Sequence, residues 1–405
     1  MISTQKRENI ARCTKQPLRV RRTWKSCFFI FMILSVPFSS HAQFNDILEI
    51  SGYVKELGQL SIDNGFSTFR YDNILHHRLE TEWSFTSNFE LNADIRTRLL
   101  TGYTVRNSPG LDGLYENDPD LVDLWWVWAD SDELLLHSQI DRMHLSYFNG
   151  PLEIYAGRQR INWGKTYVWN PNDLFNNYAF LDFDYEERPG VDAVSMIYNL
   201  DFASSIETAV KLGDSFEEMV IAGMYRTNWK QYDLQFIGGH YFDKLTVGIG
   251  WAGYIKDAGF KGEVSYFHPE DNGSESKGNI TTTVGLDYMF SNSLYAQAEL
   301  LYNGGNRGRG SPVFELLQPP SADNLFITET GYFLNASYPL TPLTSITGGV
   351  LGSFDEEFVI LIPQISHSLT NNIDFLVLAQ LLKGSFLTEF IDTPNVFYFR
   401  LKWSY

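Results

Sequence analysis

The sequence predicts an all-β chain closed into a transmembrane, antiparallel up-and-down β-barrel of about 18 strands. Three observations predict it. Apolar and polar residues alternate with period two in segments of about 9 to 14 residues, the length a tilted strand needs to cross a bilayer. Short turns alternate with connections of very unequal length, as in bacterial barrels. The chain also ends on a two-faced strand. Phe397, Phe399, Leu401, Trp403 and Tyr405 share one parity, and Tyr398, Arg400, Lys402 and Ser404 belong to the other.

Residues 1–42 read as a cleaved signal peptide, which assigns residues 43–405 to the barrel. Lys6, Arg7, Arg12, Lys15, Arg19, Arg21, Arg22 and Lys25 make a basic n-region, and the apolar run Cys27 to Phe38 is too short to span a bilayer as a helix. Ser40-His41-Ala42 then places small residues where a signal peptidase reads, before Gln43. Both cysteines, Cys13 and Cys27, lie in this leader, so disulfides, thiol catalysis and thiolate metal sites are excluded from the mature chain. The leader carries eight of the 31 basic residues and one of the 49 acids, leaving 23 against 48, about −25. That balance excludes nucleic acid as a partner. Aromatic content of 15% excludes a disordered acidic chain.

Beyond the leader, no stretch approaches the roughly 18 to 20 apolar residues of a membrane helix. A soluble β-sandwich is the alternative, and the C-terminal strand argues against it. That strand resembles the signal by which outer-membrane barrels address their insertion machinery, aromatic last residue included.

The strands can be followed in order. Phe89 to Leu99 puts Leu91, Ala93, Ile95, Thr97 and Leu99 toward lipid, and Glu90, Asn92, Asp94, Arg96 and Arg98 toward the lumen. The preceding segment points Leu75, Leu79, Trp83 and Phe85 outward, against His76, Arg78, Glu80 and Glu82 inward. Ile280 to Phe290 and Leu294 to Tyr302 repeat the pattern, with Thr281, Thr283, Asp287, Gln297 and Glu299 inward. Short turns are expected at Ser87-Asn88, Asn149-Gly150-Pro151, Asp201-Phe202, Trp229-Lys230, Asp257-Ala258-Gly259, Ser291-Asn292, Thr341-Pro342 and Asn371-Asn372. Long connections run from about Thr104 to Leu136, Trp163 to Arg188 and Gly304 to Asn324. Eighteen strands follow, or sixteen if Phe242-Asp243-Lys244 is an interruption and not a turn.

The most distinctive segment is Gly157-Arg158-Gln159-Arg160-Ile161-Asn162-Trp163-Gly164. Asn170-Pro171-Asn172-Asp173 follows it, and the acidic stretch Asp182 to Glu187 closes it. Over roughly residues 140–200 it resembles the Gly-Arg-Gln strand and Trp-Gly turn of alginate-export-type and related substrate-selective porins. The resemblance implies a selective channel with arginines in the pore wall and no catalytic residues. The acidic neighbouring loop departs from a pure anion-export pattern.

Channel interiors select by opposed charges across a constriction and by an inward loop. Arg78, Glu80, Asp94, Arg96, Arg98, Arg142, Arg158, Arg160 and Arg400 are the candidate pore lining. Arg158 and Arg160 share parity with Ile154 and Ala156, so a bulge near Gly157 is needed to turn them inward. Trp163, Trp169, Asp182, Asp184, Glu186 and Glu187 are the candidate constriction loop. The alternative is that these arginines and carboxylates merely neutralise one another in a crowded interior.

His144-Leu145-Ser146 has the His-x-Ser spacing of the outer-membrane phospholipase barrel, but Met143, Leu145 and Tyr147 form the lipid-facing set, and an orienting third group is missing. No enzyme activity, cofactor or metal is expected. The reading is a porin-like channel in the outer membrane for diffusion of small hydrophilic solutes, with outer-membrane lipid, lipopolysaccharide and the insertion machinery as partners. It is compatible with a homo-oligomer. The alternative is a non-enzymatic surface or assembly barrel whose exterior loops bind polysaccharide or a partner protein.

Overall fold

Between Lys244 and Ile255, Thr246 is 2% exposed while Leu245, Val247 and Ile249 are 54, 60 and 50% exposed. This is the two-residue period of a strand with a filled inside and an apolar outside, the pattern expected of a barrel in hydrocarbon. The computed structural model describes residues 47–63, 65, 67–108, 110, 111, 113, 120–177, 181, 183, 187–270, 278–305, 320–384 and 395–405. The expected leader, residues 1–42, lies outside them.

The strands are β1 (Leu48–Ile62), β2 (Phe69–Thr86), β3 (Phe89–Gly102), β4 (Trp125–Asp130), β5 (Leu134–Asn149), β6 (Leu152–Gln159) and β7 (Val191–Asn199). Then come β8 (Ser205–Lys211), β9 (Val220–Trp229), β10 (Tyr232–Tyr241), β11 (Lys244–Ile255), β12 (Ala258–Pro269) and β13 (Asn279–Met289). The last are β14 (Tyr295–Asn303), β15 (Thr330–Thr341), β16 (Thr344–Ser353), β17 (Phe358–Thr370), β18 (Ile373–Gly384) and β19 (Asn395–Ser404). Neighbours pair antiparallel, and β1 pairs with both β2 and β19, which closes the sheet. Leaving out β4, this is the expected barrel of 18 strands. Sixteen is ruled out because Phe242-Asp243 is a true turn between β10 and β11, with Phe242 at φ 56°.

The eight short turns fall where expected, within a residue or two. Both ends of the barrel sequence, β1 entering and β19 leaving, lie at this short-turn end. The connection from Thr104 to Leu136 is not wholly a loop, since β4 lies within it. Along β5, one edge pairs with β3 throughout. The other pairs with β6 only from Met143 to Asn149, and β4 takes the part that β6 leaves uncovered, from Leu135 to Gln139. The strand is recruited because an uncovered edge leaves backbone groups unpaired.

A bulge does exist, but not near Gly157. Opposite β3, Asp94 pairs with Arg142 and Ile95 with Ile140, so Asp141 is the extra residue on β5. Around Gly157 the β6 register is unbroken against both β5 and β7. Gly157 itself has φ 124°, and a Cβ there would run into the Met143 carbonyl, so the position requires glycine.

The barrel is closed by its last residue as well as by its strands. The Tyr405 ring lies over Gly52, where a Cβ would collide with it, and its hydroxyl is 2.9 Å from His77 Nε2 on the outer face of β2.

Candidate functional site

Cross-strand register brings scattered lysine, arginine and histidine side chains into a row. On the inner face Lys402 of β19, Lys55 of β1, His76 of β2, Arg98 of β3 and His137 of β5 stand opposite one another in succession. The next row toward the short-turn end is Tyr53, Arg78, Arg96 and Gln139. Arg400 stands opposite Leu57 on the long-loop side of the first row.

Carboxylates hold the lower row in place. Arg78 is fully buried and reaches Glu80 at 2.6 Å, Asp94 at 2.8 Å and Asp141 at 2.5 Å. Arg96 donates to Gln139 at 2.8 Å and lies 3.4 Å from Asp141. The bulge residue thus supplies the shared anion, because it adds an inward carboxylate beside the one already at Asp94. Among the described residues Arg142 makes longer contacts, 3.9 Å to Asp94 and 3.5 Å to the Arg188 carbonyl.

Arg158 is elsewhere. With the register unbroken it retains the outward parity of Ile154 and Ala156, opposite Met143 and Asp192. It is nevertheless buried, because residues 120–124 cross over it. Its guanidinium binds Asp192 at 2.9 and 3.0 Å and the Val122 carbonyl at 2.6 Å, while the Val122 N–H donates to Asp192 at 2.8 Å. Arg160, one step past β6, is exposed at the neck of the loop. Partial burial, then the charges of Arg188 and Arg142, hold its pKa below the ordinary arginine value.

The connection from β6 to β7 turns into the barrel, and backbone donors dock it. Glu263 of β12 accepts the N–H groups of Lys165, Thr166 (2.9 Å) and Asn172 (2.9 Å). Glu299 of β14 accepts those of Tyr167 (2.7 Å), Val168 (3.3 Å) and Trp169 (2.8 Å). Both carboxylates are fully buried. Trp163 donates its indole N–H to Glu207 of β8 at 3.0 Å and packs with Phe175, Tyr241 and Phe267. Trp169 packs with Leu325, Phe333, Leu351 and Phe358. A second inward segment, around Ala322 to Phe326, fills the same half of the lumen.

Three further loop residues touch the other half. Leu181 O accepts from Gln380 at 3.0 Å, Phe183 lies 5.8 Å from the Tyr398 ring, and Tyr53 donates to Glu187 at 3.0 and 3.1 Å. Asp182, Asp184 and Glu186 fall outside the described residues. Arg188 closes the loop on itself by pairing with Asp173, and burial pushes the Asp173 carboxyl up to about 7 against that pairing.

Sequence reasoning missed Lys55, Lys402 and the docking acid Glu263 as site residues. Strand parity marks Lys402 and Glu299 as inward. Only the register reveals that Lys55 joins a row. His144 and Ser146 lie on the inner parity of β5, between exposed Met143 and Leu145. Among the described residues no cluster of histidine and carboxylate suits a metal ion.

No family model and no curated relative matches the sequence. Solved structures do. OprD of Pseudomonas aeruginosa is 8% identical, with 89% of this chain and 96% of that chain covered at a TM-score of 0.58. OccK9 of Pseudomonas aeruginosa is 9% identical, with 89% and 98% covered at 0.56. OccAB2 of Acinetobacter baumannii is 9% identical, with 90% and 99% covered at 0.55. These neighbours share the barrel fold and do not support the alginate-export type. The chain has the fold of the OprD and Occ outer-membrane barrels.

Proposed function

We propose that this barrel is an outer-membrane channel through which small hydrophilic solutes diffuse, with anions favoured along the way. The observation that carries the reading is a one-sided lumen. The loop and the Ala322 segment pack against the inner face of β7 to β17, while β19, β1, β2 and β3 turn lysines and arginines inward in adjacent, largely buried rows. A charged wall opposite an inward loop is the arrangement by which pores discriminate solutes. Arg78, Arg96, Arg98, Arg142 and Arg400 are its cationic lining, Glu80 and Asp94 position them, and Arg160 stands at the loop neck. Arg158 drops out, being on the outer parity and paired with Asp192.

The apolar outer face suits membrane lipid and lipopolysaccharide, with the short-turn end toward the periplasm. The aromatic end of β19 suits recognition by the insertion machinery, and residues 1–42 are read as the export leader.

Planar-bilayer recording tests the proposal. A steady unitary conductance with an anion-selective reversal potential is expected, shifting toward cations in an Arg96→Glu, Arg98→Glu variant. Absence of conductance in both proteins would move the reading to a surface or assembly barrel, for which exposed Trp128 on β4 would be the first contact to examine.

A further inference from the structure

Not every outward side chain of the barrel meets lipid. On β10, Phe236 points outward and is exposed, while Gln235, Ile237 and Tyr241 point inward and are buried. His240 shares the parity of Phe236, yet it is only 8% exposed. The connection from β8 to β9 covers it. There a single 3-10 turn, Phe216–Glu218, lays the Phe216 ring on the imidazole, with centroids 4.2 Å apart and planes 28° from parallel.

Both ring nitrogens of His240 face an acceptor. Nδ1 is 2.8 Å from Glu270 Oε1, just past the end of β12, and Nε2 is 3.2 Å from the Phe216 carbonyl oxygen. A neutral imidazole has one N–H, so either tautomer sets a nitrogen lone pair against an oxygen on its other side. The imidazolium donates to both, and its bond to the carboxylate is charge-assisted. Other bonds fix the two acceptors. The Glu270 N–H donates to the Asp243 carbonyl at 3.0 Å, and the Met219 N–H closes the turn on the Phe216 carbonyl at 3.2 Å. Ile221 of β9 and Leu245 of β11, both apolar, stand opposite His240 on its two flanks. The other charged or titratable groups on the packed segments are Asp214, Glu217 and Glu218 of the β8–β9 connection, Asp243, Lys244 and, on the outer face of β12, His268. Lys244 is held by Asp243 and Asp323, and His268 lies 3.3 Å from the Tyr266 hydroxyl.

We propose that His240 is a proton-operated clasp between the β8–β9 connection and the barrel wall, closed when the imidazole is charged and weakened when it is neutral. Closing the clasp takes up a proton, so acid holds the Phe216 turn down and alkali releases it.

Hydrogen exchange over residues 212–219 of the detergent-solubilised barrel, corrected for its intrinsic rate, tests the clasp. Between pH 5.5 and pH 8 an ordinary histidine passes from mostly charged to mostly neutral, while ordinary carboxylates and lysines keep their charge. Protection in wild type should fall at least about fivefold across that interval. The fall should be less than about twofold in His240→Gln, whose amide does not titrate. Glu270→Gln removes the charge without touching the ring and should shrink the fall to about twofold, which keeps the test open if the His240 variant fails to fold. His268→Gln is the control for the neighbouring imidazole and should behave as wild type. Equal protection at the two pH values in wild type overturns the proposal. So does an undiminished fall in His240→Gln or Glu270→Gln, or its loss in His268→Gln.

Discussion

From β7 to β17 the inner wall is covered by chain, and from β19 round to β5 it is lined by charge. The covered sector is small or acidic where the loop sits. Glu263 and Glu299 take backbone N–H groups, and Ser265 donates to Asn172 at 2.7 Å. The lined sector reverses this. Its cations stand in rows, and its carboxylates, Asp94 and Asp141, fix guanidiniums in place. The covered sector also turns large apolar residues inward, among them Phe267, Phe333, Leu351, Phe358 and Ile360, and the loop tryptophans pack on them. The two sectors thus differ in what their inward residues hold: acids and apolar groups take the loop, while Lys55, His76 and Arg78 are buried in the basic rows.

The strongest attack on this contrast removes the anchors. Glu263→Ala with Glu299→Ala leaves five N–H groups of the loop without an acceptor, Thr166 keeping Asn170 Oδ1 at 3.1 Å, at about 1–3 kcal/mol for each that is buried. Unitary conductance should rise several-fold, with new protease cleavage between residues 160 and 190 and the barrel still heat-modifiable. Unchanged conductance would mean that the aromatic packing of Trp163 and Trp169 holds the loop without the carboxylates. Reversing the lined sector comes next. Arg96→Glu with Arg98→Glu should turn the reversal potential from anion- to cation-preferring, and a shift of only a few millivolts would detach selectivity from the rows.

A smaller effect is expected from pH. The Asp173 carboxyl is raised to about 7 by burial, so the docked loop binds its proton more tightly than an undocked loop does. That stabilisation is complete below the ordinary carboxylate range and is lost as pH rises through about 7. Hydrogen exchange in residues 160–177, corrected for its intrinsic rate, should speed up about tenfold from pH 5 to pH 6. Asp173→Asn should abolish that dependence, and equal protection at both pH values would contradict it. The smallest change sharpens the boundary between sectors. Tyr53→Phe loses the bonds to Glu187, a net of about 1 kcal/mol, and should alter conductance less than twofold. An effect as large as the glutamate double variant would assign control to the Glu187 contact and not to the anchored limb.

Strand parity and turn chemistry were legible because each depends on a few adjacent residues. Phe399, Leu401 and Trp403 face outward, and Arg96 and Arg98 inward, as alternation alone requires. Arg158 was misread because alternation cannot tell when an outward residue will be covered by a distant segment, here residues 120–124. The bulge was sought at Gly157 and lies at Asp141, since a carboxylate beside an arginine carries no local sign of an extra residue. Lys55 joins Lys402, His76 and Arg98 only once register is known. Of the docking acids, Glu299 is legible as inward and Glu263 is not, and for the same reason neither shows its partners. Glu263 gains its meaning from N–H groups roughly ninety to a hundred positions away in sequence.

Glu263 and Glu299 hold the loop through main-chain groups that every residue except proline possesses. Tyr167, Val168 and Trp169 could each be exchanged without removing a donor to Glu299. The wall therefore works as a socket for an interchangeable insert. On the channel reading, side chains of the insert can change while the mounting stays constant, and a new specificity need not be bought with a new fold.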